Sequence, residues 1–399
     1  MTAGRDALRP VTLLGAAAFC VAACLRITDP LLPDIARAFA VTTAAASIVV
    51  TAFSLAYGLC QLVYGPIGDR LGKYAVIVAA MAVSAVVLAA AAAAPSLTAL
   101  AALRLVAGVT TAGILPLALA FVGDSVPYER RQAVLARVLS GQLLGVISGQ
   151  AAGGILIGFV SWRVVFLLLG GCFGLIAAVL WRELRTGRVV QRRTATPIRL
   201  DELTRRYASL FRDSGPRSVL IAIFLEGLLF FGTLAYLGAF LRDALALSYV
   251  AVGLTLGCFG IGGLCYSLSA RRLVPGLGER GMMRVAGLAL AASFVALALV
   301  DTWATTVPAM AVLGFGLYMM HNTLQTAATQ MAPDARGAAV SLFYACFFLS
   351  QAIGAPLIGA AIARVGYGPV FVAIGAGLLG LGLWFAHRRA NQLSRDLPV

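Results

Sequence analysis

Long, uninterrupted apolar runs are the feature that most constrains how this chain can fold. They take up most of its 399 residues and are rich in Ala, Leu, Val and Gly. A helix needs about 20 consecutive apolar residues to cross a bilayer, whereas a transmembrane β-barrel shows weaker, alternating strands of about 10. With 61% hydrophobic and only 12% charged residues, the composition excludes a soluble enzyme and a disordered chain. The runs therefore predict an all-α integral membrane protein.

Hydropathy predicts twelve such helices. Because twelve is an even number, both termini are expected on the same side of the membrane. The predicted spans, numbered helix 1 to helix 12 in chain order, are 11–32, 44–64, 75–94, 98–121, 133–157, 163–181, 218–240, 249–269, 284–302, 305–329, 338–361 and 368–386.

The basic residues indicate which side carries the termini. Segments on that side hold 25 Arg and Lys residues, whereas the opposite loops hold four. Since cytoplasmic loops carry an excess of positive charge, both termini are expected in the cytoplasm. The same distribution argues against nucleic-acid binding despite a formal net charge of +15, because the charge lies between apolar runs and not on one face.

The chain also divides nearly in half. A long polar stretch, 182–217, separates a predicted N-terminal six-helix bundle, 1–181, from a predicted C-terminal six-helix bundle, 218–399. This cytoplasmic loop contains apolar residues at helical spacing, which is typical of an amphipathic helix on the inner membrane surface. A flexible charged linker explains the stretch equally well. The apolar residues are Leu203, Tyr207, Leu210 and Phe211.

The two halves contain related sequences. Residues 150–158 read QAAGGILIG in helix 5, and residues 351–359 read QAIGAPLIG in helix 11. Shorter matches flank both segments at an offset of about 200 residues. Two pseudo-symmetric six-helix halves, with a site between them near the membrane midplane, are the plan of a secondary transporter.

The segment between helices 2 and 3 carries the strongest motif. Residues 65–73 read GPIGDRLGK and match every fixed position of G-x-x-x-D-R-x-G-[RK], so the chain resembles the major facilitator superfamily. Glycines at these places permit a tight turn and a close approach of helices. The resemblance implies a conformational latch that stabilises the outward-open state without touching substrate. Its expected residues are Gly65, Asp69, Arg70, Gly72 and Lys73, with Asp124 at the inner end of helix 4 pairing with Arg70 or Lys73.

Two further segments resemble this superfamily. Residues 104–108 in helix 4 are similar to its pattern R-x-x-x-G, and helix 5 is similar to the antiporter signature g-x-x-x-G-P-x-x-G-G, with Gln150 in place of the proline. The resemblance to bacterial drug and metabolite exporters implies proton-coupled efflux across the inner membrane. The proton gradient is then the energy source, and no cofactor or metal is expected. The departure at Gln150 favours the alternative, a proton-coupled or uniport importer of a small organic solute.

An enzyme is not supported. The sequence contains no HExxH, GxSxG or Walker-type motif, so neither a metalloprotease, a serine hydrolase nor an ATP-driven pump is indicated.

Ionisable residues inside the predicted spans are the candidates for proton coupling. Arg26 and Asp29 lie three residues apart on one face of helix 1, where similar exporters keep an acid. Arg104 lies about two turns inside helix 4, and Glu226 lies eight or nine residues into helix 7. A buried carboxylate beside an arginine has two stable states, ionised and paired or protonated and released, which is what coupling requires. A structural ion pair for Asp29 and snorkelling of Arg104 are the alternatives.

Polar side chains on helices 2, 5 and 10 are the candidates for substrate binding. The basic residues inside the spans attract an anion and the acidic ones a cation, so the charge of the substrate stays open. We expect a small-molecule substrate, protons and the lipid bilayer as the partners of a monomeric protein. The candidate substrate-binding residues are Tyr57, Gln61, Gln142, His321, Asn322 and Gln325.

Overall fold

The computed structural model describes residues 3–126, 128–186, 200–299, 302–332 and 336–393, and within these ranges the regular structure is helical. The membrane helices are numbered α1 to α12 in chain order. Those of the N-terminal half are α1 (Ala3–Arg26 and Thr28–Ala38), α2 (Thr43–Ala46 and Ile48–Leu71), α3 (Lys73–Ala92), α4 (Leu97–Thr111 and Ile114–Ser125), α5 (Tyr128–Leu156) and α6 (Trp162–Arg185).

The C-terminal half follows a short helix, Leu200–Arg212, which we call the linker helix. α7 runs Ser214–Glu226, continues as a π-helical segment, Gly227–Phe231, and ends with Gly232–Asp243. One element, Tyr249–Ala298, contains α8 before Gly278 and α9 after it. The remaining helices are α10 (Trp303–Gln330), α11 (Arg336–Val365) and α12 (Tyr367–Leu393).

The ends of α8 and α9 correct the sequence prediction, which places both helix ends at a loop between 269 and 284. The structure extends both helices into this region until they meet at Gly278, which has non-helical backbone angles, φ 60° and ψ 176°. A glycine adopts a positive φ without a Cβ clash, so this residue allows the chain to change direction.

In the described part of the chain, ten helices are long and apolar enough to cross a membrane, or eleven if the bent pair in α1 counts as one span. That number treats Tyr249–Ala298 as a single span. Its 50 residues would measure about 75 Å as a straight helix, against about 30 Å for the hydrocarbon core of a bilayer. Counting α8 and α9 separately gives the twelve spans that the sequence predicts.

α1 bends where a proline interrupts its hydrogen bonds. Ile27 separates the two helical segments, which meet at 43°. Pro30 has no backbone N–H to donate to the carbonyl of Arg26, four residues earlier, and its ring crowds that carbonyl. The bend therefore falls between Arg26 and Asp29 and sets the positions of both side chains.

The helices pack in two groups. In the first, α1 contacts α5, α2 contacts α4, and α3 contacts α6, whereas in the second α8 and α9 contact α10 and α12. Between the groups, α2 packs on α11, α5 on α8, and α1 on α7. The boundaries proposed for the two bundles, 1–181 and 218–399, stay a prediction.

Close contacts between the groups lie mainly on the side away from the linker helix. Near the end of α5, Gly154 packs directly on the backbone of Gly253, at the start of α8, with no room for a Cβ. Gly238 of α7 packs closely on Pro30 of α1, and Arg37 donates a hydrogen bond to the hydroxyl of Tyr249. The two halves therefore meet on this side.

The linker helix packs against the C-terminal half. Tyr207 and Leu210 contact a small apolar cluster that contains Leu220 of α7 and Leu342 of α11. Leu200–Arg212 is therefore helical, whereas a position on the inner membrane surface stays a prediction. The preceding residues, 187–199, and the side chain of Leu203 lie outside the described part of the structure.

Candidate functional site

A cavity of about 390 Å³ lies between the two halves. α1, α5, α7, α8, α10 and α11 all contribute to its wall, so both groups of helices build it. The aromatic side chains that line it are Phe231, Phe259, Tyr318, Tyr344, Phe347 and Phe348, and the amide side chains are Gln142, Asn322 and Gln325.

The cavity extends from the middle of the helices toward the linker side. Gln142 lies at the middle of α5, whereas Ser267 and Gln325 lie toward the linker-side ends of α8 and α10. The close contact of Gly154 with Gly253 lies near the opposite ends of α5 and α8. The cavity therefore lies on the linker side of the contacts that join the halves.

Arg26 lies between the cavity and a buried carboxylate. Its guanidinium lies 4.5 Å from the centre of the Phe231 ring, and its Nη1 lies 3.7 Å from Oδ2 of Asp29. Both residues are 2% exposed. Arg26 lines the cavity, whereas Asp29 does not. The Asp29 carboxylate is therefore separated from the cavity by the Arg26 side chain.

The Asp29 carboxylate is poorly satisfied for a buried charge. The nearest donors among the described residues are the Arg26 guanidinium, at 3.7 Å, and the buried amide of Gln150, and neither makes a short hydrogen bond to it. Arg104 interacts with the same carboxylate electrostatically. A buried carboxylate beside an arginine can be ionised and paired or protonated and released, which suits a group that exchanges a proton.

A second carboxylate has the same relation to the cavity. Glu226 is 0% exposed, and its Oε2 lies 2.7 Å from Nδ1 of His321. His321 lines the cavity and packs against Phe347. Glu226 immediately precedes the π-helical segment Gly227–Phe231, and such segments are frequent at functional sites.

Arg104 is buried within the N-terminal half and does not snorkel to the surface. Its guanidinium lies 4.1 Å from the centre of the Phe53 ring and donates to the backbone carbonyl of Cys24 at 3.3 Å. It is 1% exposed and does not line the cavity. Arg104 acts on the candidate proton site through its electrostatic interaction with Asp29.

The predicted substrate-binding residues separate into two sets. Gln142, His321, Asn322 and Gln325 line the cavity. Tyr57 does not, because its ring packs against Phe348, 4.5 Å between centroids, from the far side of the cavity wall. Gln61 is also outside the lining, and its side chain interacts with Tyr57.

The aromatic wall is what the sequence analysis missed. Phe231, Phe347 and Phe348 lie in long apolar runs, where aromatic side chains facing lipid, core or cavity look alike. Their spacing by itself gives no signal of a binding site.

The candidate latch forms an ionic cluster at the linker-side ends of α2, α3 and α4. The Lys73 ammonium lies 2.5 Å from Asp69 and 2.7 Å from Asp124, so Lys73 joins the two acids. Gly72 has a φ of 96°, which allows the tight turn between α2 and α3. Gly65 and Arg70 lie in the last turns of α2 before this turn, and both are exposed.

Comparisons with known proteins agree with this architecture. Residues 14–355 match the Major Facilitator Superfamily. The MFS-type transporter YceJ of Bacillus subtilis (strain 168) is 25% identical over 333 residues, which cover 84% of each chain. Multidrug resistance protein D of Escherichia coli (strain K12) is 33% identical over 142 residues, which cover 35% of this chain and 36% of that protein.

A solved structure extends the likeness to nearly the whole fold. The nucleoside transporter NupG superposes with a TM-score of 0.75, covers 96% of this chain and 98% of its own, and is 14% identical in sequence.

The chain belongs to the Major Facilitator Superfamily. It is therefore a multi-pass membrane transporter with bacterial relatives, and not an enzyme. Members of this family bind small-molecule substrates within the membrane.

Proposed function

We propose that the protein is a proton-coupled efflux transporter that moves a small organic molecule out of the cell by alternating access. The observation that carries the proposal is the arrangement of Asp29 and Glu226, each buried behind a basic side chain that lines the cavity. A proton can then bind to the carboxylate while the substrate contacts Arg26 or His321, and each binding event changes the affinity for the other.

Alternating access requires the halves to separate on one side and meet on the other. The contacts of α5 with α8 and of α1 with α7 join the halves on the side away from the linker helix, and the cavity lies on the linker side of them. With the linker in the cytoplasm, as the arginine distribution predicts, this is a state that receives substrate from the cytoplasm.

Export against a gradient requires proton and substrate to compete. By linkage, a substrate that binds less tightly to the protonated protein also weakens proton binding. The partial likeness to multidrug resistance protein D and the glycine pattern of helix 5 support this antiport direction.

The importer remains the second candidate, and one observation favours it. Arg26 and His321 line the cavity, so an anionic substrate can bind beside them while Asp29 or Glu226 takes a proton. In that case proton and substrate cooperate, which is the requirement for symport.

Proton coupling is tested with the purified full-length protein in liposomes that contain the pH-sensitive dye pyranine. Three naphthalene probes of similar shape, namely 2-naphthamide, 2-naphthoate and 2-naphthylmethylamine, are added in turn across an imposed pH gradient. We expect at least one probe to accelerate the collapse of the gradient beyond its effect on protein-free liposomes. If none does, the proposed proton coupling is wrong.

The choice between efflux and import is tested by measuring how pH changes the binding of the probe that accelerates collapse of the gradient. Antiport predicts that its affinity falls as the pH is lowered, whereas a rise in affinity would replace the efflux proposal with the importer.

A further inference from the structure

The charges around the cavity are paired in a way that selects substrate charge. Among the described lining residues, Arg26 supplies a guanidinium cation and His321 an imidazole, and no carboxylate contributes to the wall. Their partners, Asp29 and Glu226, lie behind them and are buried. The wall is therefore basic at its surface while each basic group is matched by an acid.

A cationic substrate is disfavoured by this arrangement. It would lie against Arg26 and His321, and the carboxylates that could attract it lie behind those two side chains.

An anionic substrate is disfavoured for the opposite reason. It would draw the Arg26 guanidinium away from Asp29, with which it forms a buried ion pair. Removing one partner of a buried ion pair leaves the other charge uncompensated, which is strongly destabilising. The more distant Arg104 would be the remaining cation near that carboxylate.

An uncharged aromatic molecule matches the wall. Phe231, Phe347 and Phe348 offer ring faces and edges that pack well on a second aromatic system. Gln142 and Asn322 offer amide groups for a polar substituent. The volume of about 390 Å³ lies within the range of about 300–1,000 Å³ that small-molecule sites occupy.

We propose that the substrate is an uncharged aromatic molecule with at least one hydrogen-bonding group, and that Arg26 and His321 exclude charged analogues. This inference rests on the proposed function and deepens it.

The same pairing explains how a proton competes with a neutral substrate. When Asp29 is protonated, Arg26 loses its matching charge while it still lines the cavity. An uncharged aromatic ring would then cover an unpaired cation and deprive it of water, so the substrate is released. His321 and Glu226 repeat this arrangement from α10 and α7, with Phe231, Phe343 and Phe347 as the other neighbours of the imidazole.

Polar and charged side chains on the neighbouring helices also face the Arg26–Asp29 pair. Arg104 of α4 and Gln150 of α5 face Asp29, and Tyr318 of α10 faces Arg26. Because Asp29 and Arg26 carry opposite charges, this pair adds no net charge beside the wall until a proton is added.

The test measures equilibrium binding, without a gradient, of the same three naphthalene probes to the full-length protein in lipid nanodiscs at pH 8 by calorimetry. We expect 2-naphthamide to bind at least tenfold more tightly than 2-naphthoate and than protonated 2-naphthylmethylamine. Tighter binding of either charged probe, or no binding of 2-naphthamide, would overturn the inference.

A paired substitution identifies the source of the selectivity. Arg26→Gln together with Asp29→Asn removes both charges, so neither is left buried alone. We expect protonated 2-naphthylmethylamine to bind the double variant less than threefold more weakly than 2-naphthamide does. Arg389→Gln, which breaks a pair with Glu279 away from the cavity, should leave the ranking unchanged. An unchanged ranking in the double variant would show that Arg26 does not set the selectivity.

The binding experiment and the liposome assay test the substrate class and the proton coupling independently. If a charged probe binds best and still accelerates collapse of the pH gradient, proton coupling stands and the substrate class is wrong. If 2-naphthamide binds best and no probe affects the gradient, the substrate class stands and the proton coupling is wrong.

Discussion

The two acid–base pairs beside the cavity differ in how well the sequence predicts them. Arg26 and Asp29 are three residues apart in helix 1, so local spacing predicts their ion pair, and the structure has it at 3.7 Å. Glu226 and His321 are 95 positions apart, and only the packing of α7 on α10 brings them within 2.7 Å. The sequence identifies both acids and the arginine beside Asp29, but it does not show that Glu226 has a basic partner.

The amides of the cavity allow a matched test. Gln142 lines the cavity, and Gln61 is buried outside it, so the two residues differ in place but not in chemistry. A hydrogen bond is worth about 1 kcal/mol, so Gln142→Ala is expected to weaken binding of 2-naphthamide about fivefold. Gln61→Ala should change it less than twofold. Equal effects of the two variants in calorimetry would place the substrate elsewhere.

At the scale of helices, apolar runs and glycine or proline residues predict the elements but not their exact ends. Predicted helices 8 and 9 are one element that Gly278 divides, and α1 bends at Ile27, ahead of Pro30. The π-helical segment Gly227–Phe231 has no sequence signal, because it depends on how α7 packs against α11. Interruptions that follow from one residue are predictable, and those that follow from packing are not.

The contact of α5 with α8 predicts a variant that shifts the conformation. A Cβ at Gly253 would meet the backbone of α5 at Ala151 and Ile155. Gly253→Val should therefore hinder closure on the side away from the linker helix and favour the opposite state. Single cysteines on the cavity wall should become more accessible to a reagent added from that side, relative to wild type. A Gly276→Val control, in open space, should have no such effect.

The ionic cluster of α2, α3 and α4 predicts a loss of transport without a loss of folding. Asp69→Asn weakens the link to Lys73, and because the Asp69 side chain is half exposed, expression should survive. Probe-driven proton flux should fall at least fivefold if the cluster controls conformational exchange. Asp243→Asn, an exposed acid that accepts from Tyr367 on the opposite side, is the matched control. Wild-type flux in Asp69→Asn would mean that this segment is only a turn.

For the whole molecule, hydropathy and the internal repeat are enough to predict the family fold, and the match over residues 14–355 confirms it. The cavity is harder to predict, because six helices from both halves build it and its aromatic wall resembles any other apolar surface. Residues that are polar within a span, such as Gln142 and Asn322, are the part of the site that sequence can reveal. Tyr57 and Gln61 have the same appearance in sequence but lie behind the wall.

The distribution of arginine predicts the orientation of the molecule. A cysteine introduced at Thr186, an exposed residue that follows α6, should be protected from a membrane-impermeant maleimide in intact cells, because this side is expected in the cytoplasm. A cysteine at Thr302, exposed before α10, should react readily. The reverse pattern of labelling would invert the topology and with it the direction of transport.

The central claim is that a proton on a buried carboxylate behind the cavity drives transport. Asp29→Asn imitates the protonated side chain permanently, and Glu226→Gln does the same on α7. The direct measurement is probe-driven collapse of a pH gradient in liposomes that contain each variant, with equilibrium binding of the same probe measured in parallel. We predict that Asp29→Asn abolishes the proton flux and weakens probe binding relative to wild type, while binding remains detectable. If Glu226→Gln alone abolishes it, the proton carrier is Glu226, and if both variants still couple, the account of carboxylate-based coupling is contradicted.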